Sequence, residues 1–322
     1  MTYNPLMSDK PPIPRRTFLE LGGVAALGHS LGGFSAFAQT TAGSPALKVE
    51  KNVAVGKAGN TDLLCDIYKP PAGTEKRMAI VHFHGGGFAG GNKEGLADRV
   101  APITTRGYVS VAVEYRLSGA AMWPAQIDDA KTAIRWTRAN AASLGIDPKL
   151  IAIAGYSAGG HIALFTAGIP EAQVVACLAF YPQTDLNDTH MGGAPRMVQA
   201  LLPPGAGEAA IREASPITHI KAGYPPTIIY HGLVDTTIPW ENSEHLLETL
   251  RGVGVPSELH TFAGVPHAFD EHPEFAEACA ALSDFFLDRY ILHPRTYPPF
   301  GRGGGAPGAG AGAGAGGRPL GQ

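Results

Sequence analysis

Hydrophobic and polar positions divide the chain into two kinds of segment. Lys48 to Val55 and Asp62 to Tyr68 alternate, which predicts two antiparallel strands joined at Lys57-Ala58-Gly59-Asn60. Met78 to Phe83 is a continuous apolar run with neither a two-residue nor a 3.6-residue period, as expected of a strand covered on both faces. Tyr108 to Tyr115, Leu150 to Ala154, Val174 to Tyr181, Thr227 to Gly232 and Ser257 to Phe262 read as further strands. Helices are predicted over Gly95–Arg106, Ala125–Asn140, Ala158–Ala167, Trp240–Gly252 and Pro273–Tyr290. In the last of these Phe275, Cys279, Leu282 and Phe286 share one face. This alternation predicts an α/β fold with a doubly wound, mostly parallel sheet and antiparallel strands at its N-terminal end.

One stretch breaks the pattern. From Gln183 to Pro226 the sequence is rich in Pro, Gly and Ala, with two short helices predicted near Pro195–Leu202 and Glu208–Ala214. An irregular insertion of this length is more often functional than idle, so it is expected to form a cap or pocket wall.

The two ends differ from the body. Arg15-Arg16-Thr17-Phe18-Leu19 is followed by a mildly apolar run from Leu21 to Phe37 and then by Ala36-Phe37-Ala38, a small-x-small cleavage pattern. Residues 1–38 therefore resemble a twin-arginine export signal, although Pro14 and Glu20 depart from its commonest form. That implies the twin-arginine translocon as a transient partner and a periplasmic or secreted destination. The folded domain is expected over residues 39–293. Residues 294–322 form a Gly-, Ala- and Pro-rich tail with too little apolar surface to order itself.

Composition narrows the classes further. The chain has 322 residues, 44% of them hydrophobic, enough for one large core. A net charge of −3 supplies no basic field for nucleic acid. The three cysteines, Cys65, Cys177 and Cys279, have no metal-ligand spacing; Cys177 and Cys279 sit in apolar runs that bury small hydrophobes.

The candidate chemistry centres on Gly155-Tyr156-Ser157-Ala158-Gly159, set between a predicted strand and a predicted helix. A serine between glycines on such a turn is the nucleophile-elbow pattern. In a chain with 42 glycines the pattern also arises by chance, so companions decide the matter. His84-Gly85-Gly86-Gly87-Phe88 follows a strand and suits an oxyanion loop, because glycines let backbone N–H groups approach a substrate. Asp235, just past a strand, is the candidate orienting acid. His267, between the last strand and the last helix, is the candidate general base. The order Ser157, Asp235, His267 matches that expected of this fold.

Together HGGGF at 84–88, GYSAGG at 155–160, HGLVD at 231–235 and PHAF at 266–269 resemble the α/β-hydrolase esterases and lipases that carry an HGGG oxyanion loop. Glu114-Tyr115-Arg116-Leu117, Trp123-Pro124-Ala125-Gln126 and Asp128-Asp129 extend the likeness, which covers about Val53 to Tyr290. Hormone-sensitive-lipase-like and bacterial feruloyl-esterase-like enzymes are the similar groups. The elbow reads GYSAGG rather than the GDSAGG frequent in the first. The resemblance implies hydrolysis of a small-molecule ester through an acyl-enzyme, without metal or cofactor. It implies that Gly86, Gly87 and Ala158 donate to the oxyanion. Phe88 and Tyr156 are expected to wall the acyl pocket, with core packing as the alternative. A serine peptidase of the prolyl-oligopeptidase type and a noncatalytic binding module are the competing readings. The first requires a large extra domain for which the chain has no room.

Two polar clusters remain. Thr184 to His190 reads as a polar loop or, alternatively, a metal site. Asp270, Glu271 and His272 read as a solvated helix start or, alternatively, as groups that tune His267 or bind a polar group of a substrate.

Overall fold

The computed structural model describes residues 47–59, 61–187 and 194–297. The export-signal reading and almost all of the glycine-rich tail lie outside them.

Among the described residues eight strands form one sheet: β1 (Lys48–Ala58), β2 (Thr61–Lys69), β3 (Ala79–Phe83), β4 (Val109–Val113), β5 (Ile151–Tyr156), β6 (Cys177–Phe180), β7 (Thr227–Gly232) and β8 (Ser257–Phe262). Their spatial order is β1-β2-β4-β3-β5-β6-β7-β8. β1 pairs with β2 and β2 with β4 in antiparallel fashion, and the remaining six strands run parallel. This is the doubly wound sheet that the hydrophobic pattern predicts, with its antiparallel pair at the N-terminal edge. The central strands β3, β4 and β5 are buried at every position, which explains why they read as apolar runs without alternation.

Among the described residues eight α-helices connect or cover the strands: α1 (Ala97–Thr105), α2 (Ala125–Ala139), α3 (Ala141–Leu144), α4 (Ala158–Ala167), α5 (Ala194–Leu201), α6 (Glu208–Ala214), α7 (Glu241–Gly252) and α8 (Pro273–Leu287). They divide the core in two. Ile127, Ile134, Ile162, Leu164, Leu246 and Leu250 from α2, α4 and α7 pack on one face of the sheet. Val100, Ile103, Cys279 and Phe286 from α1 and α8 pack on the other, against Met78, Ile80 and Tyr108. Every residue of α4 is buried, so the helix is apolar all round rather than amphipathic.

The strand register sets the position of the site. Phe83 lies level with Val113 and Gly155, and Tyr156 with Phe180. The C-terminal ends of the parallel strands therefore share one edge, where open α/β sheets bind their ligands.

The described part of the insertion, 183–187 and 194–226, packs away from the pocket, and 188–193 lie outside the described residues. Leu201, Leu202, Ala214 and Tyr224 join the apolar cluster on the α2 and α4 face. The Trp123 N–H donates to the Leu201 carbonyl at 3.0 Å, and the Tyr224 hydroxyl to the Leu164 carbonyl at 2.6 Å. Its apolar positions thus bury against the helices beneath it. None of its described residues lines the pocket beside Ser157.

Candidate active site

Ser157 sits at the turn from β5 to α4 with φ 55° and ψ −116°, a conformation that L residues rarely adopt. The strain is tolerated because both flanks are fixed. Its N–H donates to the Phe180 carbonyl at 2.9 Å, and its own carbonyl accepts from the His161 N–H at 3.1 Å. The hydroxyl is thereby held out at the edge of the sheet, while the residue itself remains 7% exposed.

Ser157, His267 and Asp235 meet from three different strand ends. His267 Nε2 lies 2.9 Å from Ser157 Oγ, and His267 Nδ1 lies 2.6 Å from Asp235 Oδ2. Asp235 is acceptor-only when ionised, so Nδ1 carries the proton and Nε2 is left to accept from the serine hydroxyl. Asp235 Oδ1 accepts the N–H groups of Thr237 and Ile238 at 2.8 and 2.9 Å. Burial alone would raise the pKa of this carboxyl. Hydrogen bonds from His231 and His267, with the Ile238 N–H, outweigh it and hold Asp235 well below the ordinary carboxylate range. His231 has no role in the sequence reading, yet it supports the acid. Its Nε2 donates to the Ile238 carbonyl at 2.8 Å and stands 3.2 Å from Asp235 Oδ2.

The loop after β3 lies against the elbow. Gly86 has φ 120°, a conformation open to glycine, and its carbonyl accepts from the N–H groups of Ala89 and Gly90. The Tyr115 hydroxyl donates to the His84 carbonyl at 3.0 Å, and the two rings stack at 4.3 Å, so the end of β4 clamps the loop. Arg116 grips Asp129 of α2 through Nε and Nη2 at 2.7–3.0 Å. Among the described residues, the N–H groups of Gly86, Gly87 and Ala158 have no hydrogen-bond acceptor. Ala158 opens α4, where unsatisfied N–H groups and the helix dipole favour negative charge.

A pocket of about 420 Å³ opens at the serine. Its lining includes His84, Gly86, Gly87, Tyr156, Ser157 and His267, with Asn92, Gly95, Arg99, Tyr181, Thr237, Ala268 and Glu271. Arg99 belongs to α1, so the pocket extends on the α1 and α8 side of the sheet. Tyr156 lines the pocket but is only 2% exposed and also packs in the core, stacked on Phe180 with ring centroids 4.5 Å apart. Phe88 does not line the pocket: it is fully buried, edge-on to His161 with ring centroids 5.3 Å apart. It takes the core-packing alternative because its positive φ of 63° turns it away from the cleft into the apolar cluster under α4.

Sequence reasoning also missed the outer wall. Asp270 is not solvated: it is buried, and its carboxyl accepts from the Tyr181 hydroxyl. Tyr181 had one available signal, its place just past a parallel strand at the edge where sites form. Of the Thr184–His190 cluster, Asp188 to His190 lie outside the described residues. Among the described residues no group of three or more His, Cys, Asp or Glu side chains has the arrangement of a metal site.

The sheet order, the elbow and the hydrogen-bonded Ser-His-Asp line define an α/β-hydrolase. More narrowly, the chain belongs to the BD-FAE family, whose family model matches residues 65–250. It is similar to a probable carboxylic ester hydrolase, LipM of Mycobacterium tuberculosis, at 31% identity over 265 residues, covering 74% of this chain and 61% of that protein. Esterase LipC of the same organism is 30% identical over 219 residues, covering 61% and 54%. The chain thus spans little more than half the length of these curated relatives. Among solved structures, esterase 2 of Thermogutta terrifontis is similar at 32% identity, with a TM-score of 0.66 over 79% of this chain and 98% of that one.

Proposed function

We propose that the chain is a carboxylic-ester hydrolase that works through an acyl-enzyme on Ser157. The observation that carries this reading is the continuous line Ser157 Oγ, His267 Nε2, His267 Nδ1, Asp235 Oδ2, with links of 2.9 and 2.6 Å. The serine oxygen attacks the ester carbonyl as its proton passes to His267 Nε2. Asp235 holds the tautomer and stabilises the imidazolium. The N–H groups of Gly86, Gly87 and Ala158 receive the oxyanion; the loss of one such donor costs about 3 kcal/mol. His267 then protonates the leaving alcohol, and a water it activates in turn frees the acid.

Short acyl chains suit the site. Thermogutta terrifontis esterase 2, similar over 79% of this chain, has been seen bound to propionate and to butyrate. Carbohydrate and phenolic esters are the favoured natural class, on the resemblance to feruloyl-esterase-like enzymes. Export through the twin-arginine translocon to the periplasm or beyond is supported by the order of Arg15-Arg16, apolar run and Ala36-Phe37-Ala38.

A fluorophosphonate probe combined with p-nitrophenyl esters of rising chain length tests the reading. The wild-type chain should label at one site and turn over the short esters, and Ser157→Ala should do neither while keeping its fold. Turnover retained by Ser157→Ala would overturn the assignment.

A further inference from the structure

The pocket wall holds a chain of buried polar groups that the proposed mechanism leaves unused. Tyr181, just past β6, has φ 38°, a left-handed conformation that a bulky residue keeps only where its surroundings compel it. Its N–H donates to the Tyr230 carbonyl at 2.7 Å. Its hydroxyl donates to Asp270 Oδ1 at 2.5 Å. Its ring meets the His267 ring edge-on, with centroids 4.5 Å apart and planes at 62°. Phe269 packs against the same tyrosine at 5.8 Å.

Asp270 is 2% exposed and cannot lean on solvent. Its second oxygen lies 3.6 Å from Arg99 Nε, an ion-pair separation with no hydrogen bond between the two. Arg99 reaches in from α1, pairs with Glu271 at 2.5 Å and lies over the Tyr156 ring at 5.3 Å. The chain Arg99, Asp270, Tyr181 therefore runs from a helix on the outer face of the sheet to the imidazole of His267.

His267 needs such support. It sits on a loop, followed by Ala268 in the left-handed region, and its side chain is 18% exposed. Its two bonds, from Nδ1 to Asp235 and from Nε2 to Ser157, both leave from ring nitrogens. They fix the tautomer, while the faces of the ring carry no hydrogen bond and are held by packing alone. A neighbouring ring packed against the imidazole supplies that packing.

We propose that Tyr181 is a positioning residue for His267, its ring held against the imidazole by Asp270 and, through Asp270, by Arg99. This rests on the reading of His267 as the general base. The competing account is structural: Asp270 and Arg99 merely tie α1 to the start of α8.

The test uses the full chain, as wild type, Tyr181→Phe, Asp270→Ala and the double variant. Tyr181→Phe keeps the pocket wall and removes only the hydroxyl. Initial rates with p-nitrophenyl acetate are divided by the number of serines titrated with a fluorophosphonate. A misfolded fraction then lowers the count of serines and not the rate per serine. Each single variant should lower kcat per titrated serine about fivefold or more, with KM within about twofold, because misorientation acts on the transition state more than on binding. The double variant should be no slower than the slower single, since both changes cut one chain. If Tyr181→Phe keeps kcat per serine within about twofold of wild type, or if the two losses multiply, the positioning role is wrong. A wild type that neither labels nor turns over would remove the esterase reading and this inference with it. An active wild type with unchanged variants would remove this inference alone.

Discussion

Placing a single methyl group at Gly159 should disable the site while leaving the fold standing. A Cβ built there would lie 2.0 Å from the Phe83 carbonyl oxygen and 2.5 Å from that of His84. Real contacts of this kind need about 3 Å or more, so the backbones must part by about 1 Å. Phe83 and His84 lead into the oxyanion loop, and Gly159 lies two residues past the serine. The separation therefore opens between the nucleophile and the donors of Gly86 and Gly87. A displacement of about 1 Å at a reacting centre costs about 100-fold. Overpacking costs about 2–3 kcal/mol of stability, or roughly 5–10 °C in Tm for a domain of this size. Gly159→Ala should accordingly lose about 100-fold in kcat on p-nitrophenyl acetate, measured below its Tm, with most of its native circular dichroism retained. Gly119→Ala is the control: its Cβ would meet nothing within 4 Å, so it should stay within about 0.5 kcal/mol and keep full activity. A Gly159→Ala enzyme within about threefold of wild type would show that the gap is not set by this contact.

Asp235→Asn should lower kcat about 10⁴-fold with little change in KM, because an amide opposite Nδ1 favours the wrong tautomer of His267; steady-state kinetics decide it. Stability should fall as the pH drops from about 6.5 toward 3. Burial pushes the pKa of His82 and of His161 down to about 3, so unfolding lets each take up a proton that the folded state refuses. Each contributes up to about 3 kcal/mol of loss at pH 4, and a His82→Gln variant should show a flatter dependence of its urea midpoint on pH. All three thiols should be silent toward an aromatic disulfide reagent in the native chain and titrate fully in guanidinium. Cys65, Cys177 and Cys279 are buried, and burial raises each thiol's pKa, that of Cys65 to about 12.

The catalytic line and the sheet were legible because each leaves a local mark. Gly155 and Gly159 bracket Ser157, Gly85 to Gly87 follow a buried strand, and Asp235 and His267 stand just past strands of their own. The bounds read for α4 and α6 match the structure to the residue. What stayed hidden depends on partners distant in sequence. Asp270 reads as a solvated helix start until Tyr181, 89 positions earlier, donates to it. Arg99 reads as one charge on an amphipathic helix, yet it meets Glu271 across 172 positions. The surface beneath the described part of the insertion was hidden for a related reason. The insertion's apolar residues are too scattered to show which surface they cover, and Leu201 and Tyr224 cover α2 and α4 rather than the cleft. Phe88 follows three glycines, so nothing in its own neighbourhood fixes the side to which it turns.

The one-sided pocket separates what can vary from what cannot. Around the serine, backbone lies against backbone, and Gly159 leaves no room for any side chain. Asn92 and Gly95 are exposed and line the same cleft, with no bond to the Ser157, His267, Asp235 line. A library confined to those two positions would explore new alcohols and acids in the cleft while every bond to the reacting oxygen kept its length. For anyone redirecting this scaffold, the place to cut is the turn that leads into α1, not the glycine-built floor.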